Sequence, residues 1–120
     1  MALTESRLYN LSQLKAIASG SQEFVTKMIT MFLEVTPALV DRVENGIKLE
    51  DREDVRSASH KMKPSLDIMG IESFYTVIRS IEQNVKKESN LDDVHQLSRT
   101  LHSTLEKVYK ELRENELSAI

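Results

Sequence analysis

The chain has 120 residues, enough for one domain with a single modest core, and its three glycines and two prolines are too few for an all-β fold or a Gly-rich phosphate loop. It has no cysteine, which excludes disulfides and thiolate metal sites, and its net charge of −3 argues against nucleic acid as the main partner. No apolar run approaches the roughly 18 residues of a membrane span, and the start MALTESRLYN lacks the basic and apolar regions of a secretory signal, so the expectation is a cytoplasmic protein that binds neither nucleic acid nor membrane.

Apolar residues recur at helical spacing almost throughout. Leu8, Leu11, Leu14 and Ile17 predict a short first helix, with Gly20 ending it and Ser21 capping the next. Phe24, Met28, Met31, Phe32, Val35, Leu39, Val43 and Ile47 predict a second, longer helix. Pro37 falls inside it, and a single kinked helix is the favoured reading over two. Val55, Ala58, Met62, Leu66 and Met69 form a third stripe, broken by Gly70. Ile71, Phe74, Ile78, Ile81 and Val85 alternate gaps of three and four, which is a bundle seam. A polar turn at Lys86–Asn90 leads to a last seam of Val94, Leu97, Leu101, Leu105, Val108 and Leu112. No segment alternates with period two. The fold expected is all-α: an antiparallel four-helix bundle with a short additional N-terminal helix, one domain over residues 1–120.

The stretch SASHKMKPSLDIMG, residues 57–70, carries the most chemistry. An α-helix turns about 100° per residue, so with Val55 at zero, Ala58, Met62, Leu66 and Met69 lie within about 60° and define the buried side. His60 falls near about 140°, which points it outward, between Arg56 one turn before and Lys63 one turn after. Pro64 cannot donate to the carbonyl of residue 60 and crowds it, so the helix is expected to bend or loosen there, at a cost of about 3 kcal/mol. Taken alone, an outward histidine between cations is usually just a solvated residue. The surrounding stretch is what raises its standing.

That stretch resembles the signature of histidine-containing phosphotransfer (HPt) domains of two-component phosphorelays. His60 is followed by Met62, Lys63, Ser65 and Gly70, then by Ile81 and Glu82 where the family carries a Leu-Glu or Leu-Gln pair. The lead-in SGSQEFVTKMITMFLEVTPALVDRVENGI is similar too, and the likeness runs from about Leu8 to Lys87. Two positions depart. Pro64 stands where glycine is usual, which alters the shape of the docking surface, and Ser59 stands where alanine usually precedes the histidine.

The resemblance implies that His60 accepts a phosphoryl group from the aspartyl phosphate of a receiver domain and passes it to another receiver aspartate. Such a histidine must be exposed and neutral at its attacking nitrogen, and neighbouring cations favour the neutral nucleophile. Lys63 is the expected electrostatic partner of the phosphoryl group and Arg56 a weaker one. Glu82 is placed by the signature to hold the other ring nitrogen, against an ordinary surface carboxylate as the alternative. Pro64, Asp67 and Ile68 are the expected partner-binding residues, with a core contact as the alternative for Ile68. The partners implied are response-regulator receivers or a hybrid histidine kinase, met by a monomer.

No cofactor of the chain's own is expected. Magnesium would come with the receiver, and without an ATP site the protein is expected to be a carrier rather than an enzyme. His95 and His102 stand about 10.5 Å apart along a helix, too far to share an ion, and read as flank residues. Two other readings compete. One is the phosphoacceptor hairpin of a sensor kinase, but its usual acidic residue and proline sit at +1 and +5, where this chain has Lys61 and Ser65. The other is a helical adaptor without phosphate chemistry.

Overall fold

A computed structural model of the protein describes residues 8–86 and 91–117. Five α-helices follow in order: α1 (Ser12–Ala18), α2 (Gln22–Lys48), α3 (Arg52–Ile68), α4 (Ser73–Lys86) and α5 (Leu91–Leu112). A π-helical turn at Arg113–Leu117 continues α5. The described residues contain no strand. The four long helices form a closed square, in which α2 packs on α3, α3 on α4, α4 on α5, and α5 back on α2. Of the turn expected at Lys86–Asn90, residues 87–90 lie outside the described residues, and Lys86 closes α4.

Local chemistry sets the helix ends. Ser19 and Gly20 take left-handed backbone after α1, and the Ser21 hydroxyl accepts from the Phe24 N–H at 3.1 Å to start α2. Asp51 caps α3 in the same way, accepting from the Asp54 N–H at 3.1 Å. Pro37 and Pro64 both sit inside unbroken helices. Around Pro64 the inner side stays packed, with Met62, Leu66 and Met69 buried, and burying large apolar side chains at about 1.5–3 kcal/mol each outweighs the one backbone bond that proline cannot make.

Gly70 is where the chain must be glycine. Its φ is +65°, and a Cβ there would lie 2.2 Å from the Asn10 carbonyl oxygen. The Asn10 N–H donates to the Met69 carbonyl at 3.0 Å, so the segment before α1 is pinned to the α3–α4 corner.

The core matches the expected seams of α3, α4 and α5 almost residue for residue. Val55, Ala58, Met62, Leu66 and Met69 are buried, as are Ile71, Phe74, Ile78, Ile81 and Val85. On α5, Val94, Leu101, Leu105, Val108 and Leu112 are buried, with Leu97 half-buried. Two expectations are corrected. Ile17 is 55% exposed, because α1 is too short to bury more than Leu14, and Leu8 and Leu11 precede the helix.

In α2 the buried line is Val25, Ile29, Phe32, Thr36, Leu39, Val40 and Val43, whereas Phe24, Met31 and Val35 are exposed. The α2 segment carries two apolar rows, and a helix can bury only one. With Thr36 at zero, the buried row lies within roughly 60°, while Phe24, Met28, Met31 and Val35 fall roughly 80–140° away. They lie on the α3 side, the flank from which Arg42 reaches Asp54. Phe32 of the buried row meets Tyr109 of α5 edge to face, 5.9 Å between ring centroids.

Candidate functional site

The site is built on the outer face of α3 and the adjoining edge of α4. The buried seam of α3 turns His60 outward, leaving its side chain 67% exposed. From α4, one carboxylate meets two side chains of α3. Glu82 Oε2 lies 3.3 Å from His60 Nδ1, and Glu82 Oε1 accepts from Lys63 Nζ at 3.0 Å. An ionised carboxylate only accepts hydrogen bonds, so the first contact is a bond when Nδ1 carries the ring proton. Nε2 is then the nitrogen with the free lone pair.

Lys63 and Glu82 are partly buried, at 31% and 19% exposure. Their attraction is therefore stronger than that of a fully solvated pair. A bundle that turned α3 by one residue would break the whole triad. The register is fixed by the inner seam, in which Ala58, Met62, Ile78 and Ile81 are at most 1% exposed.

The other candidate residues take different places. Arg56 does not reach the imidazole. Its guanidinium grips Glu53 one turn earlier, at 2.6 and 3.2 Å. That pair holds the Glu53 carboxyl below its usual range, chiefly through the hydrogen bond, and holds Arg56 protonated. The i,i+3 spacing of Glu53 and Arg56 was visible in the sequence. Pro64 is exposed on the outer face of α3, and Ile68 is half-buried against the core rim. Asp67 is exposed and lines an open cleft of about 570 Å³ at the α3–α4 corner, with Gln13, Glu72 and Tyr75. Among the described residues, no group of three or more His, Asp or Glu side chains is arranged to hold a metal ion.

Three features were not anticipated. The exposed apolar row Phe24, Met31 and Val35 lies on the α3 side of α2, so the outer face of α3 has an apolar shoulder. Arg79 stacks over the Tyr75 ring, 4.1 Å from its centroid, on the α4 edge. On the opposite side of the bundle, His102 forms a second histidine–glutamate pair, its Nδ1 2.9 Å from Glu44 Oε2.

A family model for the Hpt domain matches residues 27–115, well over half of the chain and spanning all three members of the triad. The protein belongs to the Hpt-domain family. Hpt domains act in phosphotransfer in two-component signalling, as phosphocarriers rather than kinases, and interact with receiver domains and kinases. No curated protein and no solved structure matches the chain significantly. Hpt domains are helical bundles, and the described residues form one. Among the described residues no helix is long and apolar enough to cross a membrane.

Proposed function

We propose that this Hpt domain relays phosphoryl groups through His60, taking them from the aspartyl phosphate of one receiver domain and passing them to the aspartate of another. The supporting observation is the shared carboxylate: Glu82 occupies Nδ1 of an exposed ring and holds Lys63 beside it. Fixing one nitrogen leaves Nε2 as the nucleophile. Its lone pair attacks phosphorus while the P–O bond to the receiver carboxylate breaks, and the carboxylate departs with that electron pair. Lys63 offsets the charge of the phosphoryl oxygens as they move, in a reaction that is mostly positioning and electrostatics. The magnesium of the transfer belongs to the receiver.

The receiver, or the receiver module of a hybrid kinase, docks over the outer face of α3. Pro64, Asp67 and Ile68 form the part nearest His60, and Phe24, Met31 and Val35 extend it across the α3 flank of α2. Solvent-exposed apolar residues in a row, rimmed by charge, suit a transient interface. The chain acts as a monomer, since its four long helices already close one bundle without a second copy. Scattering that gave an obligate dimer in solution would contradict this.

The decisive assay incubates the protein with radiolabelled phosphorylated receivers from the same cell. Label is expected on the wild type, at His60, and absent from His60→Gln at equal helicity. Label retained on that variant would overturn the assignment. Equal function of His60→Ala in the cell would favour a plain adaptor.

A further inference from the structure

Glu82 faces two donors, and an amide could not serve both. One carboxylate oxygen accepts from the Lys63 ammonium, and the other faces His60 Nδ1, from which it accepts when that nitrogen carries the ring proton. A glutamine would offer one oxygen and turn its NH₂ group toward the other donor. The two bonds are also unequal. Lys63 lies at 3.0 Å and His60 at 3.3 Å, so in the resting protein the carboxylate meets the ammonium more closely than the ring. Charge-assisted bonds of this kind are ordinarily about 2.7–2.9 Å, and the contact to the ring has room to tighten.

We propose that Glu82 sets how long His60 keeps a phosphoryl group, because its charge passes from Lys63 to the Nδ1 proton once Nε2 is phosphorylated. This rests on the phosphotransfer reading above. A phosphoryl group on Nε2 brings negative charge that draws the Lys63 ammonium away from Glu82. The freed carboxylate then faces a phosphorylated ring whose Nδ1–H form is cationic, and stabilises that form.

The chemistry of release follows from the proton. The Nε2–P bond breaks, its electron pair returns to Nε2, and phosphorus joins a receiver carboxylate oxygen or a water oxygen. With Nδ1 protonated the ring leaves as neutral imidazole. Without that proton it would leave as an imidazolate anion, a far poorer leaving group. Glu82 thus keeps the carrier labile, suited to onward transfer rather than storage.

Among the described residues, the charged groups around this ring belong to two helices. On α3 they are Arg56, bound to Glu53, with Lys63 and Asp67 on the His60 side and Lys61 toward α2. On α4 they are Arg79, Glu82 and Lys86. The α2 helix meets the other flank of α3, where Arg42 binds Asp54. The α5 helix packs on α2 and α4, diagonal to α3.

The experiment charges His60 without any receiver. Wild type, Glu82→Gln and Glu82→Ala are phosphorylated with potassium phosphoramidate. The labelled ring is mapped by peptide analysis, and decay is followed by ³¹P NMR between about pH 6 and 9. Nitrogen-15 spectra of the ring report the Nδ1 proton directly. If charge governs lifetime, Gln and Ala behave alike: both hold the phosphoryl group about three- to tenfold longer at pH 7.5 than wild type. Their ring proton is also lost at lower pH. If Glu82 only orients the ring, Gln tracks wild type and Ala departs, and the inference falls. Failure of phosphoramidate to label His60 would overturn both this inference and the relay reading. A receiver that charges wild type while Glu82→Gln decays at the wild-type rate sinks this inference alone.

Discussion

His60 and His102 each set Nδ1 against a glutamate on a neighbouring helix, yet the charge added to each pair is opposite. At His60 the shared carboxylate also carries Lys63, so an ammonium stands beside the outward ring. At His102 the Nε2 atom lies 3.7 Å from a second carboxylate, that of Glu106, one turn further along α5. A phosphoryl group approaching His60 meets a cation, and one approaching His102 meets an anion. The partner of Nδ1 therefore does not decide what a histidine does. The further charge that joins the pair does, an ammonium at His60 and a second carboxylate at His102. His102 reads as a brace between α5 and α2, and His60 as a site open to a reactant.

The strongest way to break that comparison is to exchange the outcomes. His60→Gln is expected to abolish phosphoryl acceptance from a charged receiver, whereas His102→Gln leaves the extent and rate of labelling unchanged. Autoradiography of the two variants side by side checks it. Loss of labelling in His102→Gln, with the fold intact by circular dichroism, would mean that the brace also serves the relay.

Lys63→Ala probes the cation. On the proposed mechanism it slows transfer about tenfold or more, the scale of removing one charge-stabilising contact from a transition state. Folding stability is expected to fall by no more than about 1 kcal/mol, since the side chain is partly buried against Glu82. Rapid-quench transfer rates and a thermal melt separate the two. A rate equal to wild type would leave Glu82 as the only purpose of Lys63.

The brace predicts the reverse pattern. Glu44→Gln or His102→Ala removes a partly buried contact that ties α5 to α2 across 58 positions of sequence. A loss of about 1 kcal/mol, seen as a fall in Tm of roughly 4–5 °C, is expected with no change in labelling. A melt unchanged by both variants would reduce the pair to a surface coincidence.

How much of this was legible beforehand depends on how local the signal is. The seams of α3, α4 and α5 could be read because each carries one apolar row and one polar face. The row of α2 could not be phased from sequence. Phe24, Met31 and Val35 repeat as regularly as Val25, Ile29 and Phe32, and only the neighbouring helices decide which row is covered. The outward turn of His60 followed from periodicity alone. Glu82 did not: its place beside the ring came from the spacing of a family signature, and its hold on Lys63 came only from the packed helices. Contacts between distant residues were invisible for the same reason. His102 meets Glu44, and Tyr9 donates to Glu116 in the π-helical turn at 3.0 Å across 107 positions. Burial pushes the Tyr9 phenol up to about 12, a long-range effect with no trace in the local sequence.

The smallest expected effect concerns Arg56, which shares the His60 side of α3 but is held by Glu53. Because the guanidinium hydrogen-bonds that carboxyl, Glu53 ionises below its usual value of 4.5. A carboxyl lowered on folding contributes stability above its unfolded value, and that contribution is lost as pH falls through the folded value. At the pH of a relay the pair is therefore intact and Arg56 stays engaged away from the ring. Glu53→Gln releases it. The variant is expected to show a slightly shallower loss of stability on acidification below about pH 4.5, and labelling of His60 that is at most modestly faster and more sensitive to salt, since a freed surface cation is screened within about 10 Å at 0.1 M. If Glu53→Gln instead slowed labelling as strongly as Lys63→Ala, then Arg56 as held by Glu53 would be part of the His60 site, and the cation serving the imidazole would be a pair rather than a single lysine.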